Sequence, residues 1–542
     1  MLPRKTLFTA LTLATVAAIP AAQARGPGAI PDHQANNPWF TSGAARVAEK
    51  KRLFPGASAR RAKNVILFVG DGMGISTVTA GRIRDGQLKG ASGEENNLSF
   101  DLMPYTGLSK TYNVNLQTPD SAGTATAMMS GVKTDGFVLG VDEDIDFGNC
   151  STVAGNELVT ALELAELAGK STGVVTTTRV THATPGSTYA KTASRLWEDI
   201  SDMPQDAIDG GCTDIALQLV QFEQNLEARF PGTDVDGIEV VMGGGRRHFL
   251  PRDENANSPD AVSAIEGDRT DGRNLVTEWQ AAYPDGDYVF DQSGFDALDF
   301  DSASNIFGLF NESDMRYSAN RNEDISGEPS LPEMTAAALR VLKQNRKGFF
   351  LMVEGGRIDH GHHAGNASAA LGEVVELSQA VQTAMDMLDM RETLIIVTAD
   401  HSHTFTIAGY PQRGNPILGK VVTADEDSPT LAADGLPYTT LGYANGAGFY
   451  DLGDETDADA VYLLGPSETR RADISSIDTE APGYHQEALV PMASETHGGE
   501  DVAIYGAGPG AHAVVGTNEQ SVIFHIMNAA ARLERDAARA VR

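Results

Sequence analysis

The apolar positions of this chain fall into a few short, dense runs separated by longer stretches with helical spacing. Val65 to Val69 is an unbroken apolar run, mostly β-branched or aromatic and too short for a helix, so it reads as a strand buried on both faces. Phe349 to Val353 and Leu394 to Thr398 repeat the pattern, and Thr172 to Thr178 and Ile238 to Met242 read as further strands. Helical patterns lie between them: Thr77 to Asp85, Glu157 to Ala168 stopped by Gly169, Glu333 to Gln344, the long amphipathic stretch Ala367 to Leu388, and Ser521 to Arg539. Leu98 to Asn115 has a strand-turn pattern, and Ser121 starts a helix of small residues behind Pro119. Such alternation predicts an α/β sheet. Residues 25–60, rich in Pro, Gly and Ala, read as an exposed arm. Residues 251–330, polar and acidic, read as surface excursions, and 406–490, with short apolar runs among Gly, Asp and Pro, as an inserted subdomain. The α/β domain is then 61–405 together with 491–542.

A chain of 542 residues has room for one large domain with insertions or for two. Asp and Glu number 74 against 41 Lys and Arg, a formal charge of -33. Such a surface repels nucleic acid and anionic membranes and suits solubility in salt. Arg4 and Lys5, the apolar stretch Leu7 to Ile19 and Ala22-Gln23-Ala24 form a basic start, an apolar core and an A-x-A cleavage site. Residues 1–24 are therefore read as a signal peptide and the mature chain as exported, periplasmic or secreted. No later run has the ~18 apolar residues of a membrane span. An even pair of cysteines, Cys150 and Cys212, suggests one disulfide in an oxidising compartment, worth roughly 4 kcal/mol for a loop of this length; two buried thiols are the alternative.

The chemistry sits where the buried runs end. Val65 to Val69 runs into Gly70-Asp71-Gly72-Met73-Gly74, Phe349 to Val353 into Glu354, and Leu394 to Thr398 into Asp400-His401. The glycines around Asp71 are spaced GxGxG, not as a dinucleotide loop, and a carboxylate there would repel a pyrophosphate. In an open α/β sheet, ligands gather outside the carboxyl ends of the strands. Carboxylates brought together there repel one another unless cations lie between them. Asp359 and His363, spaced i to i+4, share a helical face. With His497 the set reaches four carboxylates and three imidazoles, which suits two zinc ions and a harder, oxygen-bound ion, and hydrolysis or group transfer more than electron transfer. Ser121, at a helix start where free N–H groups favour an anion, is either an N-cap or a nucleophile.

Together the motifs VGDGMG, PDSAGTATAM, TTTRVTHATP, VEGGRIDHGHHAG, TADHSHTF and THGGEDV resemble the alkaline phosphatase family, in the family's order and over nearly all of residues 60–530. The resemblance implies a central, mostly parallel sheet with helices on both faces, an inserted crown-like subdomain over much of 406–490, and a homodimer. It implies phosphate monoester hydrolysis through a phosphoserine, with two Zn ions and one Mg ion. Asp359, His363 and His497 would hold the first zinc; Asp71, Asp400 and His401 the second; and Asp71, Thr184 and Glu354 the magnesium. Ser121 would be the nucleophile and Arg195 the phosphate clamp. Cys150 and Cys212 match a disulfide of the animal members. His182 and His360 also resemble the animal type, where the best-known bacterial type has Asp and Lys. Phe310 and Glu328 match parts of the animal calcium site, but Asn311 stands where an acid is expected, and no calcium is assigned. The competing readings are a related phosphodiesterase or sulfatase, or a non-catalytic exported phosphate- or metal-binding protein. No cysteine lies in the CxPxR setting a sulfatase needs, Arg195 would obstruct a second ester group, and an intact nucleophile–Arg pair argues against mere binding.

The charge generates a prediction of its own. Removing residues 1–24 takes away Arg4 and Lys5 and deepens the negative charge by two. Self-repulsion of such a surface weakens as the screening length falls from about 8 Å at ~0.15 M salt to about 3 Å at 1 M. The melting midpoint of the mature protein is expected to climb with NaCl up to molar concentration. A flat or falling midpoint would show that the acidic surface is not tuned to saline surroundings.

Overall fold

The computed structural model describes residues 28–56, 60–449, 459 and 471–541; the signal peptide read at 1–24 lies outside the described residues. Its strands in chain order are β1 (Asn64–Gly70), β2 (Tyr105–Lys110), β3 (Ser171–Arg179), β4 (Val240–Gly244), β5 (Asp287–Val289), β6 (Ile306–Leu309), β7 (Phe349–Gly355), β8 (Thr393–Ala399), β9 (Ser402–His403), β10 (Phe405–Ile407), β11 (Leu441–Gly446), β12 (Ala488–Pro491), β13 (His497–Gly498), β14 (Val502–Ala507) and β15 (Gly516–Glu519). Ten of them form one sheet in the order β15-β2-β14-β8-β1-β7-β3-β4-β6-β5. Only β14 runs antiparallel to its neighbours, β8 and β2. The sheet is mostly parallel, as the alternating pattern leads one to expect.

β1, β7 and β8 are buried along their whole length. Successive side chains of a strand point to opposite faces, so each of these strands feeds two cores. Val65, Leu67 and Val69 pack with the helices Ala161–Leu167 and Val522–Ala531 on one face. Ile66 and Phe68 pack with the helices Leu331–Leu342 and Ala367–Met387 on the other. This is why the three runs are continuously apolar instead of alternating.

Three stretches differ from their sequence reading. The segment read as an exposed arm carries the helices Asp32–Asn36 and Pro38–Leu53, the second capped by the Asn37 side chain, with Phe40 and Val47 buried. A Cβ at Gly43 would stand 2.4 Å from the ring of His525; the small residues that suggest coil are what let this helix lie close to the C-terminal helices. Residues 251–330 are more than surface excursions, since β5 and β6 within them extend the central sheet. The C-terminal helix is broken at Arg532, whose φ of 60° is left-handed, into Val522–Ala531 and Leu533–Ala540.

Cys150 and Cys212 are joined, with Cα atoms 5.8 Å apart. Within 406–490, β10, β11 and β12 form a small sheet. Ile417, Leu418, Leu441 and Tyr443 pack there against Ala80 and Leu371 of the main body.

A buried acid pair lies at the opposite end of the sheet from the strand carboxyl ends. Thr172 of β3 donates its N–H to Glu239 at 2.6 Å and its hydroxyl to Glu166. Burial pushes Glu166 well above the usual carboxylate range and Glu239 up to about 8. The folded chain therefore keeps a proton that the unfolded chain releases above its ordinary value of 4.5. The stability this pair contributes is complete below that value and is lost as pH rises towards about 8. Glu239→Gln is expected to flatten the fall of the melting midpoint between pH 5 and 9. A variant with the wild-type slope would show that the pair does not titrate with folding.

Candidate active site

The sheet register brings the strand-end carboxylates together. Gly70 pairs with Ala399 of β8 on one side and Gly355 of β7 on the other. Asp71 and Asp400 thus follow their strands side by side, and Glu354, paired with Val69, stands on the third strand at nearly the same level. All three are completely buried. Gly72, at φ +69°, turns the chain away; a Cβ there would meet the His403 ring at 2.3 Å. Its N–H donates to Asp400 at 3.0 Å.

The helix Arg357–His363 begins two residues beyond β7 and presents Asp359 and His363 on one face, with their ligand atoms 3.3 Å apart. His497 reaches the same place through the pairing of β13 with β9, and its Nε2 lies 3.0 Å from His363 Nε2 and 3.4 Å from Asp359. The far nitrogens are fixed by backbone: His363 Nδ1 donates to the Glu495 carbonyl at 2.7 Å and His497 Nδ1 to the Pro119 carbonyl at 2.8 Å. Both Nε2 atoms are therefore the unprotonated ones, facing inward. The His401 and His497 rings stack at 3.6 Å, and His401 Nε2 lies 3.2 Å from Asp400 and 3.4 Å from Asp71.

Ser121 is the first residue of the fully buried helix Ser121–Ser130, with Asp120 as its N-cap. Its Oγ lies 2.9 Å from His401 Nε2. The carboxylate of Asp120 also accepts from Arg195 Nη1 at 2.6 Å, while Arg195 Nη2 donates to His182 Nε2 at 2.8 Å. Arg195 is thus aimed at the helix start between two holders. Burial, and Arg195 beside it, hold the His182 imidazole neutral, well below its usual range.

Three groups of possible metal-ligating atoms adjoin here, with the atoms in each lying within 4.8 Å of one another: Asp359, His363, His403 and His497; Asp71, Asp359 and His401; and Asp71, His182 and Glu354; a fourth, Asp199, His248 and Asp268, shares no residue with them. Each of the eight expected metal ligands lies in or beside one of them. Asp400 touches the second group through His401. Thr184 is the second residue of the short helix Ala183–Gly186, and its hydroxyl is buried without a hydrogen-bond partner among the described residues. His403 is an addition. Its Nε2 lies 2.8 Å from Asp359 and its Nδ1 2.6 Å from Glu495.

The donor set fits cations. Both oxygens of Asp71, Oε1 of Glu354, Oγ1 of Thr184 and Nδ1 of His182 are buried without a hydrogen-bond partner. Burial, with repulsion from Asp400, Asp359 and Glu354, pushes Asp71 well above the usual carboxylate range; burial pushes Glu354 up to about 7 and Asp400 also upward. Asp359 behaves oppositely: burial opposes its charge, but the imidazoles around it outweigh burial and hold it low, with His403 donating to it at 2.8 Å. Carboxylates that would otherwise stay protonated, beside inward-facing imidazoles with free nitrogens, are what divalent ions require.

Residues 62–533 match the family model described as alkaline phosphatase. The chain belongs to the alkaline phosphatase family. Alkaline phosphatase of the tissue-nonspecific type from Gallus gallus is 44% identical over 473 residues, covering 87% of this chain and 84% of that protein. The Homo sapiens counterpart is 42% identical over 474 residues, with the same coverage. Among solved structures, the Thermus thermophilus alkaline phosphatase superposes with a TM-score of 0.60 at 22% identity, covering 90% of this chain and 98% of that one. That of the Antarctic bacterium TAB5 gives 0.56 at 21%, covering 88% and 99%. A histidine-to-aspartate variant of the TAB5 enzyme has been solved with Mg bound in its M3 site. The fold and the class, a metal-dependent phosphomonoesterase, are those of the alkaline phosphatases.

Asp71 belongs to two of the three groups and Glu354 to one. Metal analysis of purified variants is expected to find about two equivalents lost from Asp71→Asn and one from Glu354→Gln. A loss of a single equivalent from each would show that Asp71 does not bridge.

Proposed function

We propose that this chain is an exported alkaline phosphatase that hydrolyses phosphate monoesters through a phosphoserine at Ser121, with two Zn ions and one Mg ion. The observation that carries this reading is the convergence, at the start of one helix, of a buried serine, a held arginine and a partnerless carboxylate cluster. Asp359, His363 and His497 would hold the first zinc, Asp71, Asp400 and His401 the second, and Asp71, Thr184 and Glu354 the magnesium. His182, whose Nε2 accepts from Arg195 and whose Nδ1 carries the ring proton, borders that last group. Bound cations supply positive charge against the oxyanions that develop on nucleophile, leaving group and phosphoryl oxygens.

Arg195 forks two of the phosphoryl oxygens and orients phosphorus towards Ser121, with Asp120 and His182 fixing its plane. The Ser121 oxygen bonds phosphorus in line as the phosphorus–alkoxide bond breaks. The serine proton is lost to solvent and the departing alkoxide takes one from water. Water then attacks the phosphoserine from the side the alkoxide left, freeing phosphate and restoring the hydroxyl. The helix start adds the positive end of its dipole beside Ser121, with Asp120 capping the Ala122 N–H. Arg195 and this dipole suit a dianionic monoester, which attracts more charge here than a diester does. Export and a homodimer are carried over from the leader-like N-terminus and the family habit.

Ser121→Ala is expected to lose about three orders of magnitude or more in kcat on an aryl phosphate while keeping its metal content, since Ser121 is the group that reacts. Wild type quenched in acid during turnover should carry phosphate on Ser121 by mass spectrometry. Unchanged activity in the variant, or phosphate found on another residue, would overturn the covalent route.

A further inference from the structure

The face opposite the active site carries an inverted charge. Lys63 immediately precedes β1 and Asp71 immediately follows it, so at ~3.3 Å per residue the two ends are roughly 25 Å apart. At the Lys63 end lies a cavity of about 380 Å³ lined by Arg61, Lys63, Lys170, Arg346 and Lys347, with Asp536 as its only acid. Arg61 also lines a neighbouring cavity of about 230 Å³, which adds Lys51, Arg60 and Arg532 and has no acid in its wall. In a chain whose acids outnumber its bases 74 to 41, chance arrangement would make these walls acidic.

The cations are not consumed by local pairing. Asp536 is the partner of Arg61 and is shared with Arg535 and Arg539. Lys63 has a distant contact with Glu392 at 3.9 Å. Among the described residues, Lys51, Arg60, Arg346, Lys347 and Arg532 have no ion-pair partner at all. Lys170 is buried, and two of its three N–H groups go to the carbonyls of Lys63 and Lys347, at 2.7 and 2.6 Å. Those bonds hold its amine in the wall of the first cavity, where burial and then Arg61, Lys63 and Lys347 disfavour the charged form, and Asp536, already shared among three arginines, is the acid that opposes them. A further anion seated there would stabilise the ammonium.

We propose that these two cavities form one binding site for a short linear polyanion bearing phosphate groups, of the inorganic oligophosphate class, seated across Arg61 with an anionic group in each cavity. The two concave volumes meeting at a shared arginine suit a flexible chain of tetrahedral anions better than a single small ion. The enclosed shape also favours a soluble ligand over a flat lipid surface. Forked guanidinium groups and point-charged ammonium groups are the donors such oxygens use. The site stands apart from the catalytic centre and does not depend on how that centre works.

The test is calorimetric titration of tripolyphosphate into holoenzyme whose active site is saturated with vanadate. One site per chain is expected, weakening steeply with added salt. Arg346→Gln/Lys347→Gln and, separately, Lys51→Gln/Arg60→Gln/Arg532→Gln are each expected to weaken binding at least tenfold, with kcat on an aryl phosphate unchanged. Circular dichroism and melting midpoints establish that each variant is folded. No binding by wild type, or wild-type affinity in either variant, overturns the proposal. So does a protein that ignores tripolyphosphate but sediments with phosphatidylglycerol vesicles, because the basic face would then be a membrane contact.

Discussion

Repulsion among buried carboxylates at three neighbouring strand ends is the constraint around which the molecule is arranged. β8, β1 and β7 lie side by side in the sheet, and Asp400, Asp71 and Glu354 stand at their carboxyl ends, where adjacent strands are about 4.8 Å apart. Among the described residues no donor bonds either oxygen of Asp71. Such a cluster is tolerable in two states only, protonated or filled with cations. The surrounding structure favours the second. His363 and His497 spend their Nδ1 atoms on backbone carbonyls, which leaves Nε2 unprotonated on the inner side. A shell that fixes the tautomer in this way is typical of metal ligands. The apolar strands beneath supply rigidity, because β1 is packed on both faces and paired on both edges, so a slip would break two ladders and mispack two cores.

The parts of this arrangement that were legible in the sequence are those governed by local pattern. The buried strands appear as unbroken apolar runs because both faces are covered. Asp359 and His363 declare themselves by i, i+4 spacing, and Ser121 by a proline turn before small residues. The whole set, from Asp71 to His497, assembles where strand polarity places it. What was hidden depends on packing partners remote in sequence. The helix Pro38–Leu53 is poor in large apolar residues because Gly43 must pass His525 at close range. β5 and β6 are short strands, β6 paired with β4 and β5 added outside it as the edge, so their place is set by the strand already in the sheet and not by their own composition. The break at Arg532 is a single left-handed residue with no glycine to announce it. Asp120 and His403 looked like parts of motifs; only the fold shows one holding Arg195 and the other touching Asp359.

The sheet also separates charge along its strands. Carboxylates collect beyond the carboxyl ends of β8, β1 and β7 and cations around the amino end of β1, with the apolar length of β1 between them. In an otherwise acidic protein this concentrates positive charge in two places: at the site the ions would fill, and on the opposite face. Anions repelled by most of the surface are therefore drawn to one end or the other, and the low-dielectric interior between the ends keeps the two fields from cancelling.

Two buried carboxylate groups show why burial alone does not mark a metal site. Glu166 and Glu239 are pushed up by burial much as Asp71 and Glu354 are. Yet Thr172 satisfies one oxygen of each, and no imidazole joins them in any grouping of metal-ligating atoms among the described residues. A retained proton completes that pair. Around Asp71 a proton does not suffice, because the partnerless acceptors are carboxylate and hydroxyl oxygens from three residues, Asp71, Glu354 and Thr184, and no proton can bond them all at once. The difference lies in how many unsatisfied acceptors converge on one point, and a small, multiply charged ion is the species that answers several at a time.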